Sequence, residues 1–304
     1  MSLPQDESWL NFLEYPFRTH VFPCETNPGA KNSGVAQLNY IDEGRGRPVV
    51  FVHGSMTWSF LFRKFVKGLS GVNRCIAIDH LGFGLSEKPN RADYTPQAHA
   101  ARFSKLMDRL ELDDVTLVVQ DAGGPIGLSW ALDHPNRVKN LVLMNTYLWP
   151  LDDNVAAIRL ANLVGNPMNR FYYQALKASP AFILPALLAD RHRMSKIIMT
   201  QYFGPFRSYR DRRAVYALIE SFRRASGWHQ SLWNRRHLLA DMRTLLVWGQ
   251  RDPMFGPECL TRWQGALSNT ETVEFPQNGR FVPDEAGPAA LEEIRWFLMN
   301  HVRV

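Results

Sequence analysis

No stretch of the 304-residue chain approaches the roughly 18–20 consecutive apolar residues that cross a bilayer. Its first residues, Met1-Ser-Leu-Pro-Gln-Asp-Glu7, have neither the basic start nor the apolar stretch of a secretory signal. Cysteine is scarce: Cys24, Cys75 and Cys259 are odd in number and show no metal-ligand spacing. The expectation is reduced thiols in a cytoplasmic protein without a structural metal. Internal repeats, low-complexity segments, nucleic-acid motifs and basic regions with heptads are missing, which argues against a nucleic-acid ligand.

What is present suits a packed core. Hydrophobic residues make up 45% and charged residues 21%, and the length fits one large domain or two small ones. The formal charge of +6 is uneven: residues 151–236 hold twelve Arg and two Lys against four Asp and one Glu. Such a basic segment offers a site to an anionic ligand, an acidic partner or a membrane surface, or is simply an arginine-rich solvated helical surface.

After an irregular N-terminal arm, Gly34–Asp42 alternates as an edge strand. Arg47–His53, Arg74–Asp79, Val115–Gln120, Val138–Asn145, Thr244–Gly249 and Glu271–Phe275 are short apolar runs expected to be strands. Ser59–Leu69, Thr95–Leu110, Gly124–His134 and Leu291–Asn300 have helical spacing. Strands alternating with helices predict an α/β fold, a mostly parallel sheet with helices on both faces. Between Tyr147 and Arg236 the strand pattern stops in a helical stretch broken at Pro167, Pro180, Pro185 and Pro205. This predicts core residues 1–150 and 237–304 with a helical cap, 151–236, over the C-terminal edge of the sheet, where open α/β sheets bind ligands.

The sequence Val115-Thr-Leu-Val-Val-Gln-Asp121-Ala-Gly-Gly-Pro-Ile-Gly127 reads as a buried strand, a sharp turn and a glycine-opened helix. That is a nucleophile elbow with a carboxylate in place of serine, and a carboxylate there can attack carbon and become an ester. An N-cap role for Asp121 is the plainer reading, but it leaves the buried strand and the glycines unexplained. Ser55, in His53-Gly-Ser-Met56, and Ala122 would supply the backbone N–H groups of an oxyanion site. Asp252, just past a strand, can orient a histidine or form an ordinary Asp-Pro turn. Where the histidine is expected, the chain reads Asn278-Gly-Arg280-Phe-Val-Pro283. Arginine has no acceptor nitrogen and stays protonated, so Arg280 cannot activate water. It can pair with Asp121, Asp252 or both. Of the other histidines, His229 and His237 lie in or beside the insertion.

With those residues in hand, the chain resembles the haloalkane dehalogenase family of α/β-hydrolases. The likeness runs through His53-Gly-Ser-Met-Thr-Trp-Ser-Phe-Leu-Phe-Arg63, Asp79-His-Leu-Gly-Phe-Gly-Leu-Ser-Glu-Lys-Pro89, Gln120-Asp-Ala-Gly-Gly124, Asp252-Pro-Met-Phe-Gly256 and Phe281-Val-Pro-Asp-Glu-Ala286. The resemblance implies an α/β-hydrolase fold with its cap inserted after the sixth strand and a small apolar or halogenated substrate. It also implies no metal or organic cofactor. Asp121 would be the nucleophile that forms an alkyl-enzyme ester, and Asp252 the acid. Asn145 stands where one subgroup keeps its acid instead. The chain departs from the pattern at Ala122, where the family has a halide-binding Trp, at Ser55 and Met56, and at Arg280. Two other readings follow: a non-catalytic binding protein with an Asp121–Arg280–Asp252 ion-pair row, or an epoxide hydrolase or β-lactone-cleaving relative. For ring opening the candidates are Tyr172, Tyr173, Tyr202, Tyr209 and Tyr216.

Overall fold

Runs of β-branched and apolar residues with no alternation form strands buried on both faces, and these build the centre of the molecule. The computed structural model describes residues 8–165, 194–208 and 210–300. Its eight strands are β1 Thr19–Glu25, β2 Val35–Glu43, β3 Arg47–Val52, β4 Asn73–Ile78, β5 Val115–Asp121, β6 Val138–Thr146, β7 Arg243–Gly249 and β8 Thr270–Phe275. They join in one sheet of order β1-β2-β4-β3-β5-β6-β7-β8. β1 and β2 are antiparallel, β2 is antiparallel to β4, and every other neighbouring pair is parallel. All seven residues of the central β5 are buried. Burying a Val or Leu side chain contributes roughly 1.5–3 kcal/mol, so this strand is firmly placed beneath the elbow it carries.

Two expectations at the N-terminal end are corrected. The arm is not irregular, because Thr19–Glu25 pairs along its length with β2, from Thr19 opposite Ile41 to Glu25 opposite Val35. The Val35–Glu43 strand is therefore not the edge; β1 is. Pro23 disguises β1 in the sequence, and an outer strand tolerates a residue without an N–H.

The helices α1 Arg63–Leu69, α2 Pro96–Leu110 and α3 Gly123–Asp133 fall close to the predicted positions, as does the closing helix Gly287–Met299. α2 starts cleanly because Thr95 accepts the Ala98 N–H and Pro96 occupies the first turn. The described part of the connection from β6 to β7 holds four α-helices and no strand: α4 Val155–Gly165, α5 Lys196–Phe203, α6 Arg213–Arg224 and α7 Ser226–Asn234. α8 Pro257–Gln264, α9 Val282–Glu285 and α10 Gly287–Met299 complete the α-helices among the described residues. Pro167, Pro180 and Pro185 lie outside the described residues.

This insertion is tied to loops that follow strand C-termini. The Trp58 indole donates to the Gln201 carbonyl at 3.0 Å, and the Tyr202 hydroxyl donates to Asp284. Tyr147, just past β6, meets Phe222 and His229 edge-on. No helix among the described residues is long and apolar enough to cross a membrane. All three cysteines are buried and free; burial, followed by nearby carboxylates, pushes the Cys75 and Cys259 thiols up to about 12.

Candidate active site

The elbow follows from close packing. Asp121 ends β5 with φ of +51°, a left-handed conformation costly for a residue with a Cβ. The chain turns at once into α3, and a Cβ on Gly123 would lie 2.2 Å from the Val52 carbonyl oxygen. Gly54 faces the turn from β3; a Cβ there would lie 2.3 Å from the Asp121 Cβ. The Thr146 hydroxyl donates to the Asp121 carbonyl at 2.6 Å and holds the turn from β6.

Asp121 is 1% exposed. Its Oδ2 accepts the Ser55 N–H at 3.1 Å and the Ser55 hydroxyl at 2.6 Å, while Oδ1 has no hydrogen-bond partner. The side chain does not cap α3, whose N-cap residue is Ala122, without any side-chain cap bond. Burial holds the Asp121 carboxyl above the usual carboxylate range. Arg280, the Ser55 hydrogen bond and the Ala122 N–H oppose that rise, and the Asp252 charge adds to it. Ser55 thus holds the carboxylate through both its backbone N–H and its hydroxyl.

Arg280 follows the Asn278-Gly279 turn, where Gln120 Nε2 donates to its carbonyl at 3.4 Å. Its guanidinium points inward, 1% exposed, and grips Asp252 in bidentate fashion: Nε to Oδ2 at 3.0 Å and Nη2 to Oδ1 at 2.8 Å. Nη1 lies 3.9 Å from Asp121 Oδ2, an ion pair but not a hydrogen bond, and has no partner. The guanidinium sits 4.6 Å over the Phe255 ring. Burial works against its charge, but the two aspartates outweigh that and raise its pKa above the ordinary value. The ion-pair row left open by the sequence is thus a tight pair with Asp252 and a looser contact with Asp121.

Asn145 is the extra residue where the β5–β6 register shifts from Gln120 opposite Met144 to Asp121 opposite Thr146. It pins the Asp252 loop: Nδ2 donates to the Gly249 and Phe255 carbonyls at 2.9 and 3.1 Å and to Asp252 Oδ2 at 3.3 Å. The Met254 N–H adds a bond to Asp252 Oδ1 at 2.9 Å.

Several buried histidines are placed elsewhere. His53 Nε2 accepts the His80 N–H at 3.0 Å, which leaves the proton on Nδ1, bonded to the Gly54 carbonyl at 2.8 Å. His80 and His99 lie behind it, their rings tilted at 44° with centroids 5.1 Å apart. Burial lowers the pKa of all three, His80 to about 3. His229 is buried without partners, 5.3 Å edge-on to the Tyr147 ring; burial pushes it down to about 4, against the pull of Asp152. His237 is exposed against the Asn234 carbonyl.

Of the candidate tyrosines, Tyr202 bonds to Asp284 and Tyr216 donates to Glu220 at 3.4 Å; Tyr172, Tyr173 and Tyr209 lie outside the described residues. Tyr147, which the sequence pattern did not single out, follows β6 with its carbonyl against Gly124 of the elbow, and the Asp121 charge acts on its hydroxyl. Many insertion arginines have local partners: Arg213 donates to Asn90, Arg223 to Asn162, and Arg224 and Arg235 pair with Glu220 and Asp133.

A family profile described as the alpha/beta hydrolase fold matches residues 47–286. The chain is 30% identical over 303 residues to a cis-3-alkyl-4-alkyloxetan-2-one decarboxylase of Shewanella oneidensis, covering 93% of this chain and 89% of that protein. It is also 30% identical over 284 residues to haloalkane dehalogenase 2 of Mycobacterium tuberculosis, covering 90% and 92%. A haloalkane dehalogenase structure from Agrobacterium tumefaciens C58 superposes with a TM-score of 0.79 at 23% identity, over 92% of this chain and 97% of that one, a likeness of fold. With a carboxylate at the elbow, a helical insertion after the sixth strand and matches along most of its length, the chain belongs to the haloalkane dehalogenase family of α/β-hydrolases.

Proposed function

We propose that the protein acts through Asp121 as a nucleophile, displacing a leaving group from a saturated carbon of a small apolar or halogenated substrate to give an alkyl-enzyme ester. The observation that carries this reading is the state of the carboxylate: Oδ2 is held by both donors of Ser55, while Oδ1 is buried and unpartnered. The backbone N–H groups of Ser55 and Ala122 are suited to the ester carbonyl oxygen. Asp252, the acid of the pair, is occupied by Arg280. A guanidinium cannot take a proton from water, so hydrolysis of the ester is slow. The test is intact-mass analysis after incubation with 1-bromobutane. The expected result is a persistent butyl adduct that the Asp121→Asn variant does not form. Neither adduct nor bromide release would refute the reading and favour a binding protein built on the same scaffold.

The Arg280–Asp252 pair favours a second reading, cleavage of a β-lactone. In that chemistry Asp121 attacks the carbon bearing the ring oxygen and the ring opens to a carboxylate. The bond to CO2 then breaks, its electron pair forms C=C, and the Asp121 carboxylate is expelled. No water takes part, so no base is needed. The relative from Shewanella oneidensis is named for decarboxylating such a ring. Incubation with a cis-3,4-dialkyl-oxetan-2-one and detection of the alkene tests it; an unchanged lactone rules it out.

A further inference from the structure

Two buried hydrogen-bond donors beside the elbow have no partner, Tyr147 Oη and Arg280 Nη1. Tyr147 follows β6 directly, next to the Thr146 hydroxyl that holds the Asp121 carbonyl. Its ring stacks on Phe255 with centroids 5.0 Å apart, and Phe255 is also the ring under the Arg280 guanidinium. Phe222 and His229 enclose it edge-on at 6.0 and 5.3 Å. Burial and then the Asp121 charge push the Tyr147 hydroxyl well above its ordinary pKa, against the pull of Arg280, so it stays a neutral donor. A buried hydroxyl left unbonded is costly, and both donors lie next to a nucleophile that lacks the indole N–H its family places at position 122.

We propose that Tyr147 Oη and Arg280 Nη1 form the leaving-group site for Asp121, and that the site is matched to a carboxylate leaving group rather than a halide. This rests on Asp121 being the nucleophile. Oδ1 gives an electron pair to carbon, the C–O bond of a strained cyclic ester breaks, and its pair stays on oxygen. Negative charge passes from Asp121, now a neutral ester, to the departing carboxylate. The charge of the pocket is unchanged and no proton moves. A hydroxyl and a guanidinium N–H satisfy the two oxygens of a carboxylate with short, charge-assisted bonds; a halide is a single diffuse acceptor.

The site is tested first without reaction. The Asp121→Asn protein, whose neutral amide stands in for the ester, is titrated calorimetrically with butyrate and with bromide. Butyrate is expected to bind and bromide to bind more weakly, and Tyr147→Phe on that background to weaken butyrate roughly tenfold or more. No butyrate binding, or affinity untouched by Tyr147→Phe, overturns the site whatever Asp121 does. In the otherwise unaltered protein, Tyr147→Phe should slow Asp121-dependent consumption of β-butyrolactone roughly tenfold or more and Asp121 adduct formation with 1-bromobutane less than about threefold. Equal slowing of the two refutes the preference. Absence of Asp121-dependent reaction with both electrophiles sinks the nucleophile reading instead, a failure the butyrate titration keeps apart. Near-UV circular dichroism matching the parent confirms that each variant is folded.

Discussion

Replacing Arg280 with histidine returns to the site a nitrogen that can take a proton, and the structure indicates how much this should change. Arg280 Nε already lies 3.0 Å from Asp252 Oδ2, so an imidazole on the same Cβ can direct one ring nitrogen at Asp252 and turn the other toward the Asp121 ester. General-base catalysis contributes roughly 10²–10⁴-fold, about 3–5 kcal/mol of barrier. The assay is single-turnover: Asp121 is alkylated with 1-bromobutane, excess reagent is removed, and loss of the butyl mass is followed with time. The Arg280→His adduct should decay faster than the parent adduct by that factor, with continuous bromide release under excess substrate. Only neutral imidazole accepts a proton, so decay should accelerate as pH rises through its pKa. Equal adduct lifetimes in the two proteins would show that the side chain at position 280 does not control the hydrolytic step.

Three further outcomes follow from the same geometry. Arg280→Met leaves Asp252, 4% exposed, as a buried unpaired charge; it should cost about 3–5 kcal/mol and lower the melting temperature by about 6–15 °C. Adding Asp252→Asn should recover most of that loss, and without Arg280 the Asp121 carboxyl should titrate higher, moving the onset of alkylation to higher pH. Gly54→Ala places a Cβ 2.8 Å from Asp121 Oδ2 and should reduce adduct formation roughly a hundredfold with little change in secondary structure. His53, His80 and His99 are held neutral by burial, with folded pKa values below the unfolded one. The unfolded chain therefore binds more protons in acid, and stability should fall from about pH 6.5 downward, by up to about 1.4 kcal/mol per pH unit for each histidine, toward the His80 value near 3. Urea melts at pH 7 and pH 5 check this, and identical midpoints would contradict it.

The elbow was legible in the sequence because close packing demands particular residues. Gly123 faces a carbonyl oxygen with no room for a Cβ, and β5 is buried on both faces, so both leave unmistakable composition. β1 was not legible: its burial alternates poorly, it contains Pro23, and only its partner β2 makes it a strand. The identity of Arg280 at the base position could be read directly, but its choice between two aspartates could not. That choice depends on the Asn145 bulge and the Met254 N–H, which aim Asp252 at it from another part of the chain. Tyr147 carried no signal at all. A tyrosine after a strand is ordinary, and its distinction, a buried hydroxyl with no partner next to a carboxylate, exists only once β5 and β6 are side by side.

On the proposed mechanism, the arginine separates the two halves of covalent catalysis electrostatically. At 3.9 Å from Asp121 Oδ2, a unit positive charge attracts the carboxylate by about 4 kcal/mol at an effective dielectric of 20. That interaction offsets part of the burial penalty and favours the ionised nucleophile. It also lowers the energy of the resting carboxylate and would slow attack, unless the charge leaving Asp121 stays within reach of the same guanidinium. A leaving anion bound at Nη1 meets that condition, because the negative charge moves between two places near one fixed positive charge. Once the ester has formed and the anion has gone, Asp252 and Arg280 neutralise each other. Arg280, at the position of the usual base, cannot then deprotonate water. A site of this kind suits reactions whose ester intermediate collapses by elimination, and it should fail at those that need hydrolysis.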